Sequence, residues 1–542
     1  MEQTGGGLAT TKQSRGFVAS VVLVSLLVGC AAYWGTNKQI LGLFHDDGIY
    51  VVVAKSLYRG DGYRIISLPS TPPQTKYPFL YSYLLSWLWV LNPIFPQNIG
   101  VLKALNSAIL TAILIVGIAY YRRHFSDSNI GAILFALIVC TNPIVFTYTD
   151  YVVSDLLYVF LALGALTVCQ RSGSTSNSIL LTVISGLACL TRLAAAPLVL
   201  AGSVEAFLST HWKGVAYFIG GVLLFVAPWL LWASLWPHYA PDSLFGYYSA
   251  YDLSGTKVRE LSTLVKHHWV IVASNARYLI DAFDFLYLLP LLPGLGLVIA
   301  LLTGIGLIYS IRRKQAFAWC FFLSSVTLLL IWPFHPSRYM APLVPILVLF
   351  LFRGMAAVEH WLQSVRREFA LISLVAKLAW SPALLIVLLN GVWLSSYLLI
   401  DDNNTTRGLY GRRLPYAWQG FEESFAWVRE NTKPDALLAT AYDPMYHLYT
   451  GRRAIRPALH RSGTYFYPYG QANPDVGSSG EIKPQLDKLG VKYLIIDPLD
   501  GYAEGKATLR LLDQLVNSYG AKATHVFTSS DGKHRIYALK QE

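Results

Sequence analysis

Charge is scarce in this sequence. Only 14% of its 542 residues are Asp, Glu, Lys or Arg, against about 25% in an ordinary soluble domain. With 54% apolar residues and a mean hydropathy of +0.43, a single soluble globule is excluded. Cysteine is rare too: the five present (Cys30, Cys140, Cys169, Cys189 and Cys320) fall inside apolar runs, so neither a disulfide framework nor a zinc-thiolate site is readable. From about residue 400 onward no glycine-rich phosphate loop, nucleophile elbow or metal-ligand spacing occurs. The net charge of +12 is not gathered into a stripe or basic tail, which makes nucleic acid a poor partner. Leu27-Val28-Gly29-Cys30 resembles a lipobox, but the later spans already anchor the chain and make a lipid anchor redundant.

What is present is a step in composition. The first 400 residues are about 10% charged and the last 142 about 24%, as in a large membrane-embedded unit (1–399) followed by a water-soluble one (400–542). Because about 20 apolar residues cross a bilayer, eleven spans are expected: 17–35, 100–121, 129–148, 152–170, 178–193, 195–209, 214–237, 286–311, 316–333, 339–357 and 371–398. The split of 178–209 at Arg192 is the least secured. Basic residues end many of these runs: Lys12 and Arg15, Arg122 and Arg123, Arg171, Lys213, Arg312 to Lys314, Arg366 and Arg367. The positive-inside rule then places the amino terminus in the cytoplasm and the carboxy-terminal unit outside, as for an integral protein of a bacterial inner membrane facing the periplasm. Two external loops, 36–99 and 238–285, are long enough to carry function. The first holds helical stretches at 48–60 and 78–91, the second rich in Tyr and Trp as befits an interfacial helix.

From about residue 400 the pattern alternates: helices near 418–432, 481–489 and 505–519, and strands at 437–441, 491–497, 524–528 and 534–539. A small α/β unit with a recognition or supporting role is expected.

Asp46 and Asp47 are adjacent carboxylates at the membrane surface. They suit a general base or a metal ligand, or else cap the following helix. Partial burial and mutual repulsion raise the pKa of at least one. Lys76 is either a phosphate-binding cation or a snorkelling anchor, and Arg338 a phosphate clamp or an interface anchor. Asp155 is a functional candidate at membrane depth or a helix cap. Arg192 reads as a structural ion-pair partner. His45, His267 and His268 read as surface histidines, because their spacing fixes no metal.

The order Asp46-Asp47 … Tyr50 … Ala54-Lys55-Ser56-Leu57 … Gly60-Asp61-Gly62-Tyr63 … Lys76-Tyr77-Pro78 resembles the first external loop of the polytopic C-type glycosyltransferases that use lipid-linked sugars, such as bacterial aminoarabinose transferases and protein O-mannosyltransferases. Ser154-Asp155, Leu190-Thr191-Arg192 and Ser337-Arg338-Tyr339-Met340-Ala341-Pro342 extend the resemblance in order through most of residues 15 to 400. It implies an all-α polytopic fold carrying a C-terminal α/β domain. The reaction implied is inverting transfer from a polyprenyl-phosphate sugar to a lipid, glycan or protein acceptor on the external face. Asp46 would be the base, with Asp47 and Asp155 in the catalytic group and Lys76 and Arg338 on the donor phosphate. Tyr50, Tyr77, Tyr81, His335 and Tyr339 are the candidate substrate contacts. The chain departs from the aminoarabinose transferase pattern in having Asp47 where that pattern has Glu and in placing Tyr77 between Lys and Pro, so donor and acceptor stay open. No cofactor is readable, and a divalent metal is compatible with the acidic pair. The competing reading is a transporter or flippase of polyprenyl-linked sugars, which calls for internal repeats that the two halves do not show. A receptor-like membrane protein would leave the first loop's charges unexplained.

Overall fold

A computed structural model describes residues 6–125, 128–169, 175–236, 239–240, 242–248, 293–332, 336–365, 418–459, 475–499 and 503–540, with further helical positions within 269–279 and 384–396. The expected span at 371–398 therefore lies largely outside the described residues, as do His267, His268 and His335.

The apolar runs fold as helices: α1 (Gly6–Gly35), α2 (Asp46–Arg59), α3 (Phe79–Leu91), α4 (Ile99–His124), α5 (Asn129–Cys140), α6 (Pro143–Phe146), α7 (Asp155–Cys169), α8 (Thr175–Thr191), α9 (Ala196–Leu235), α10 (Pro293–Arg312), α11 (Ala316–Ile331) and α12 (Val344–Val365). Among the described residues four stretches are long and apolar enough to cross a membrane: Gly16–Gly35, Ile99–His124, Leu193–Leu235 and Arg338–Trp361. The span expected at 129–148 is bent: α5 and the segment Pro143–Thr149 together are long and apolar enough to cross, but they meet at 61°. Asn142 accepts from the Ile144 amide and Pro143 takes the first helical position, a start signal that ends one helix and opens another.

The chain does break at Arg192, whose backbone is extended (φ −152°, ψ 139°). α9 in turn leaves helical geometry at Thr210 and His211. A Cβ placed on Gly202 would lie 2.3 Å from the Phe218 ring, although an unbroken helix would hold those positions about 24 Å apart; the two halves of α9 fold back on each other. The segment expected at 339–357 opens as a 3-10 turn, Pro336–Leu343, before α12 begins, because Pro342 and Pro345 cannot donate to an α-helical ladder. In α3 the aromatics divide: Trp87 and Tyr83 are exposed, while Tyr81 and Trp89 are buried, so only one face of α3 suits an interface.

The C-terminal part adds α13 (Trp418–Asn431), β1 (Leu437–Ala439), α14 (Asp443–Thr450), β2 (Arg453–Ile455), α15 (Ser479–Leu489), β3 (Tyr493–Ile496), α16 (Ala503–Tyr519), β4 (Ala523–Thr528) and β5 (Arg535–Leu539). The strands form one sheet in the order β2-β1-β3-β5-β4, parallel across β2, β1 and β3 and antiparallel across β3, β5 and β4. The expected elements are present with shifted ends. α14 and β2 were not legible, being short and bounded by the Asp443-Pro444 start and by Gly451 in the left-handed region (φ 76°). This unit does not stand apart from the loop at 36–99. Ile40 shares an apolar cluster with Trp418, Phe421 and Met445, the Ala454 amide donates to the Ser67 carbonyl at 2.8 Å, and the Tyr449 hydroxyl donates to the Gln39 carbonyl at 2.6 Å.

Candidate functional site

The first loop is pinned at its start. The Asn37 amide donates to Asp150 Oδ1 (2.7 Å), and the buried Lys103 ammonium donates to the same oxygen (2.8 Å). Five residues on, Gly42 turns the chain with φ 100°, and a tight turn at His45 delivers Asp46 to the first position of α2.

The two adjacent carboxylates part company there. Asp47 is buried and turned back on its own loop, accepting from the amides of Gly42 (3.0 Å) and Gly48 (2.7 Å). Burial pushes its pKa above the usual carboxylate range despite those bonds and the Lys103 charge. Asp46 faces the other way. Its Oδ1 accepts from the hydroxyls of Tyr77 (2.5 Å) and Tyr247 (3.2 Å), and its Oδ2 is 2.5 Å from Arg338 Nη1. Burial alone would raise its pKa; the charges of Arg338 and Lys76 and the Tyr77 hydrogen bond outweigh it and hold this carboxyl well below the usual range. Neither aspartate is the N-cap, which is His45; the expectation of a simple capping pair is corrected.

Arg338 joins two carboxylates. From the 3-10 turn before α12 its Nε and Nη2 donate to Asp155 Oδ2 at 2.9 Å each, while Nη1 reaches Asp46. Asp155, the first residue of α7, also pairs with Arg192 Nη1 at 2.5 Å. Its carboxylate thus serves the arginines instead of capping its helix, and Arg192 is the ion-pair partner the sequence suggests. The result is a chain of alternating charge, Asp46, Arg338, Asp155, Arg192, in which each charge meets its opposite. Asp155, Arg192, Arg338, Tyr339, Tyr158 and Pro342 line a cavity beside it, and Tyr339 lies under the Arg192 guanidinium at 4.9 Å.

Lys76 comes from a segment that Gln74 organises: its Oε1 accepts from the Lys76 amide (2.8 Å) and its carbonyl accepts from Trp232 Nε1 (3.1 Å). The ammonium donates to the Tyr247 carbonyl at 2.8 Å and sits 3.6 Å from the centre of the Tyr247 ring. It is buried, so the snorkelling anchor is corrected to an internal cation within the electrostatic reach of Asp46.

The structure therefore brings Asp46, Lys76, Tyr77, Asp155, Arg338 and Tyr339 to one place. Tyr50 is adjacent: its hydroxyl lies 3.0 Å from Ser154 Oγ, and burial pushes its pKa up to about 12. Tyr81 is not an open contact, since it is fully buried and donates to Asn106 Oδ1 at 2.9 Å. His45 is no surface histidine: it is buried with Nε2 2.8 Å from Asp443 Oδ1. Among the described residues no three His, Cys, Asp or Glu side chains are gathered as a metal site. Tyr247 and Asp443 were not singled out from sequence. Tyr247 lies in the loop 238–285, already marked as long enough to act, but nothing local distinguishes it from its neighbour Tyr248.

No family model matches the sequence, and no curated protein matches it. Solved structures do. The fold is similar to that of ArnT from Cupriavidus metallidurans in the apo state, with 13% identity and a TM-score of 0.56 over 97% of this chain and 98% of that chain. For the same protein bound to undecaprenyl phosphate the values are 13% and 0.57, over 96% of this chain and 98% of that one. The archaeal oligosaccharyltransferase AglB from Archaeoglobus fulgidus, in complex with an inhibitory peptide and a dolichol-phosphate, is similar at 13% identity and a TM-score of 0.50, over 96% of this chain and 74% of that one. At such identities the likeness is one of fold: this chain has the C-type glycosyltransferase fold.

Proposed function

We propose that this protein is a membrane glycosyltransferase that moves a sugar from a polyprenyl-phosphate donor to an acceptor hydroxyl on the external face, with inversion and with Asp46 as the base. The observation that carries the reading is the placement of Asp46 at the end of the charge chain through Arg338, beside Lys76, on a fold shared with a protein solved with undecaprenyl phosphate. The eleven-span topology, with the amino terminus cytoplasmic and the α/β unit outside, belongs to the same proposal.

The chemistry follows from the charges. The acceptor oxygen forms a bond to the anomeric carbon from the face opposite the phosphate, its proton passes to Asp46, and the electron pair of the breaking carbon–oxygen bond leaves on the phosphate. The leaving group departs as an anion, so it needs cations and no general acid. Lys76 and Arg338 supply them. In the ground state Arg338 Nη1 is spent on Asp46, which makes that carboxylate a weak base. A donor phosphate that draws Nη1 to itself removes the charge holding the Asp46 pKa down, so the base gains strength only once donor is bound, while the contacts to Asp155 keep the arginine in place. Tyr77 and Tyr247 orient the carboxylate. Asp47 serves the loop backbone and takes no part in proton transfer.

The test is incubation of the purified protein with a panel of polyprenyl-phosphate sugars, following release of polyprenyl phosphate. Release that requires an acceptor supports the reading; sugar-lipid movement across a vesicle membrane without release identifies a flippase instead.

A further inference from the structure

The turn that aims Asp46 is strained, and a residue from the far end of the chain holds it. His45 has φ 62° and ψ −56°, and the Asp46 amide donates to the Phe44 carbonyl at 2.8 Å. This is the three-residue γ-turn with positive φ, which side-chain-bearing residues rarely adopt. Such a conformation persists where surrounding contacts over-determine it. Here they come from two directions. The His45 ring meets Tyr247 edge-on with centroids 4.9 Å apart, and its Nε2 lies 2.8 Å from Oδ1 of Asp443, the first residue of α14. An ionised carboxylate can only accept, so Nε2 carries the proton. The same helix sets Met445 and Pro444 against glycines on either side of the turn: a Cβ on Gly42 would lie 2.7 Å from Met445 Cβ, and one on Gly48 3.0 Å from Pro444. α14 thus grips the residues before, at and after the strained position.

We propose that Asp443 is a positioning residue for the transfer site, through which the C-terminal unit holds His45 in its turn and so aims the Asp46 carboxylate. The inference rests on the reading of Asp46 as the acceptor base. Asp443 is wholly buried and meets His45, so it acts on Asp46 through that residue. Without it His45 is free to return to negative φ, and the first turn of α2 carries Asp46 away from Tyr77 and Arg338, each 2.5 Å distant. Misplacing a reacting group by about 1 Å costs on the order of 100-fold in rate.

The test compares full-length purified proteins carrying Asp443→Ala, Asp443→Asn, His45→Ala or the pair Asp443→Ala with His45→Ala. It measures kcat and KM for polyprenyl phosphate release, undecaprenyl phosphate binding and the unfolding temperature. Asp443→Ala is expected to lower kcat on the order of 10- to 100-fold with undecaprenyl phosphate binding unchanged. Asp443→Asn, whose amide oxygen still accepts from His45, recovers most of the rate, and the double variant is no slower than the slower single one, because both act through one contact. A lowered unfolding temperature with kcat per folded molecule intact makes Asp443 a packing residue and overturns the proposal, as do additive losses in the pair. Asp46→Asn, measured alongside, separates the two failures. If it is inactive while Asp443→Ala turns over normally, this inference alone falls. If Asp46→Asn turns over normally, or the wild-type protein releases nothing, the reading of Asp46 falls and this inference with it.

Discussion

Asp46 at the start of α2 and Asp497 in the C-terminal unit are both carboxylates held by several partners, and the difference between them is instructive. Asp497 accepts from the Tyr446 hydroxyl (2.9 Å), His534 Nδ1 (2.8 Å) and the Thr440 hydroxyl (3.3 Å), and the side chains of Asp497 and His534 are wholly sealed from solvent. All of its partners lie within the C-terminal unit, on α14 and beside the ends of β1 and β5. Asp46 keeps 17% of its side chain exposed and draws its partners from three separated segments, at Tyr77, Tyr247 and Arg338. A sealed, locally satisfied network rigidifies a core. An open carboxylate whose partners arrive from different elements, one of them a cation shared with Asp155, can exchange a partner when a ligand arrives.

The predictions sharpen this contrast. Among changes that leave Asp46 in place, Arg338→Lys carries the largest effect, because an ammonium cannot bridge Asp46 and Asp155 as a planar guanidinium does; turnover should fall on the order of 100-fold, and an unchanged rate would detach Arg338 from the chemistry. Lys76→Met keeps the apolar stem and removes the charge. Turnover should fall about tenfold and by more than donor affinity does, since a cation beside a departing phosphate stabilises the transition state above the ground state. A loss confined to donor binding would make Lys76 a headgroup anchor. Asp497→Ala should act the opposite way, costing about 3 kcal/mol of stability by stranding buried donors while turnover per folded molecule holds; lost catalysis in folded protein would erase the contrast. The smallest effect at neutral pH is that of His447, which acts only as the solution turns acid. Burial, aided by the Lys55 charge, pulls the His447 pKa from 6.5 down to about 3. The unfolded chain therefore binds a proton that the folded one refuses as pH falls below about 6.5, and stability should drop by up to about 1.4 kcal/mol per pH unit between there and about pH 3. His447→Gln should flatten that part of the profile in chemical unfolding; an unchanged slope would place the acid sensitivity elsewhere.

Much of this was legible in sequence because a membrane chain spends charge sparingly. Asp46, Lys76, Asp155 and Arg338 stand out as ionisable residues at the ends of apolar runs, and the structure gathers them. What stayed hidden depends on contacts between distant segments. Asp46 and Asp47 are neighbours of the same chemistry, and only the turn at His45 sends one to the arginine and the other to its own loop amides. His45 looked superficial because nothing near it in sequence announces Asp443. Tyr81 looked available because aromatic spacing on α3 does not say which face meets α4. The bend before Pro143 carries a local signal in its Asn142-Pro143 start, which the apolar composition of 129–148 outweighed.

The account turns on Asp46, and the most direct measurement is polyprenyl phosphate release by wild-type and Asp46→Asn protein in the same lipid, with undecaprenyl phosphate binding measured on both. Asparagine keeps the shape and the hydrogen-bond acceptor while losing the capacity to take a proton at neutral pH. The account predicts a loss of turnover on the order of 100-fold or more with binding of undecaprenyl phosphate retained. Turnover near the wild-type rate would contradict it and move the base to another carboxylate, with Asp155 the next to test.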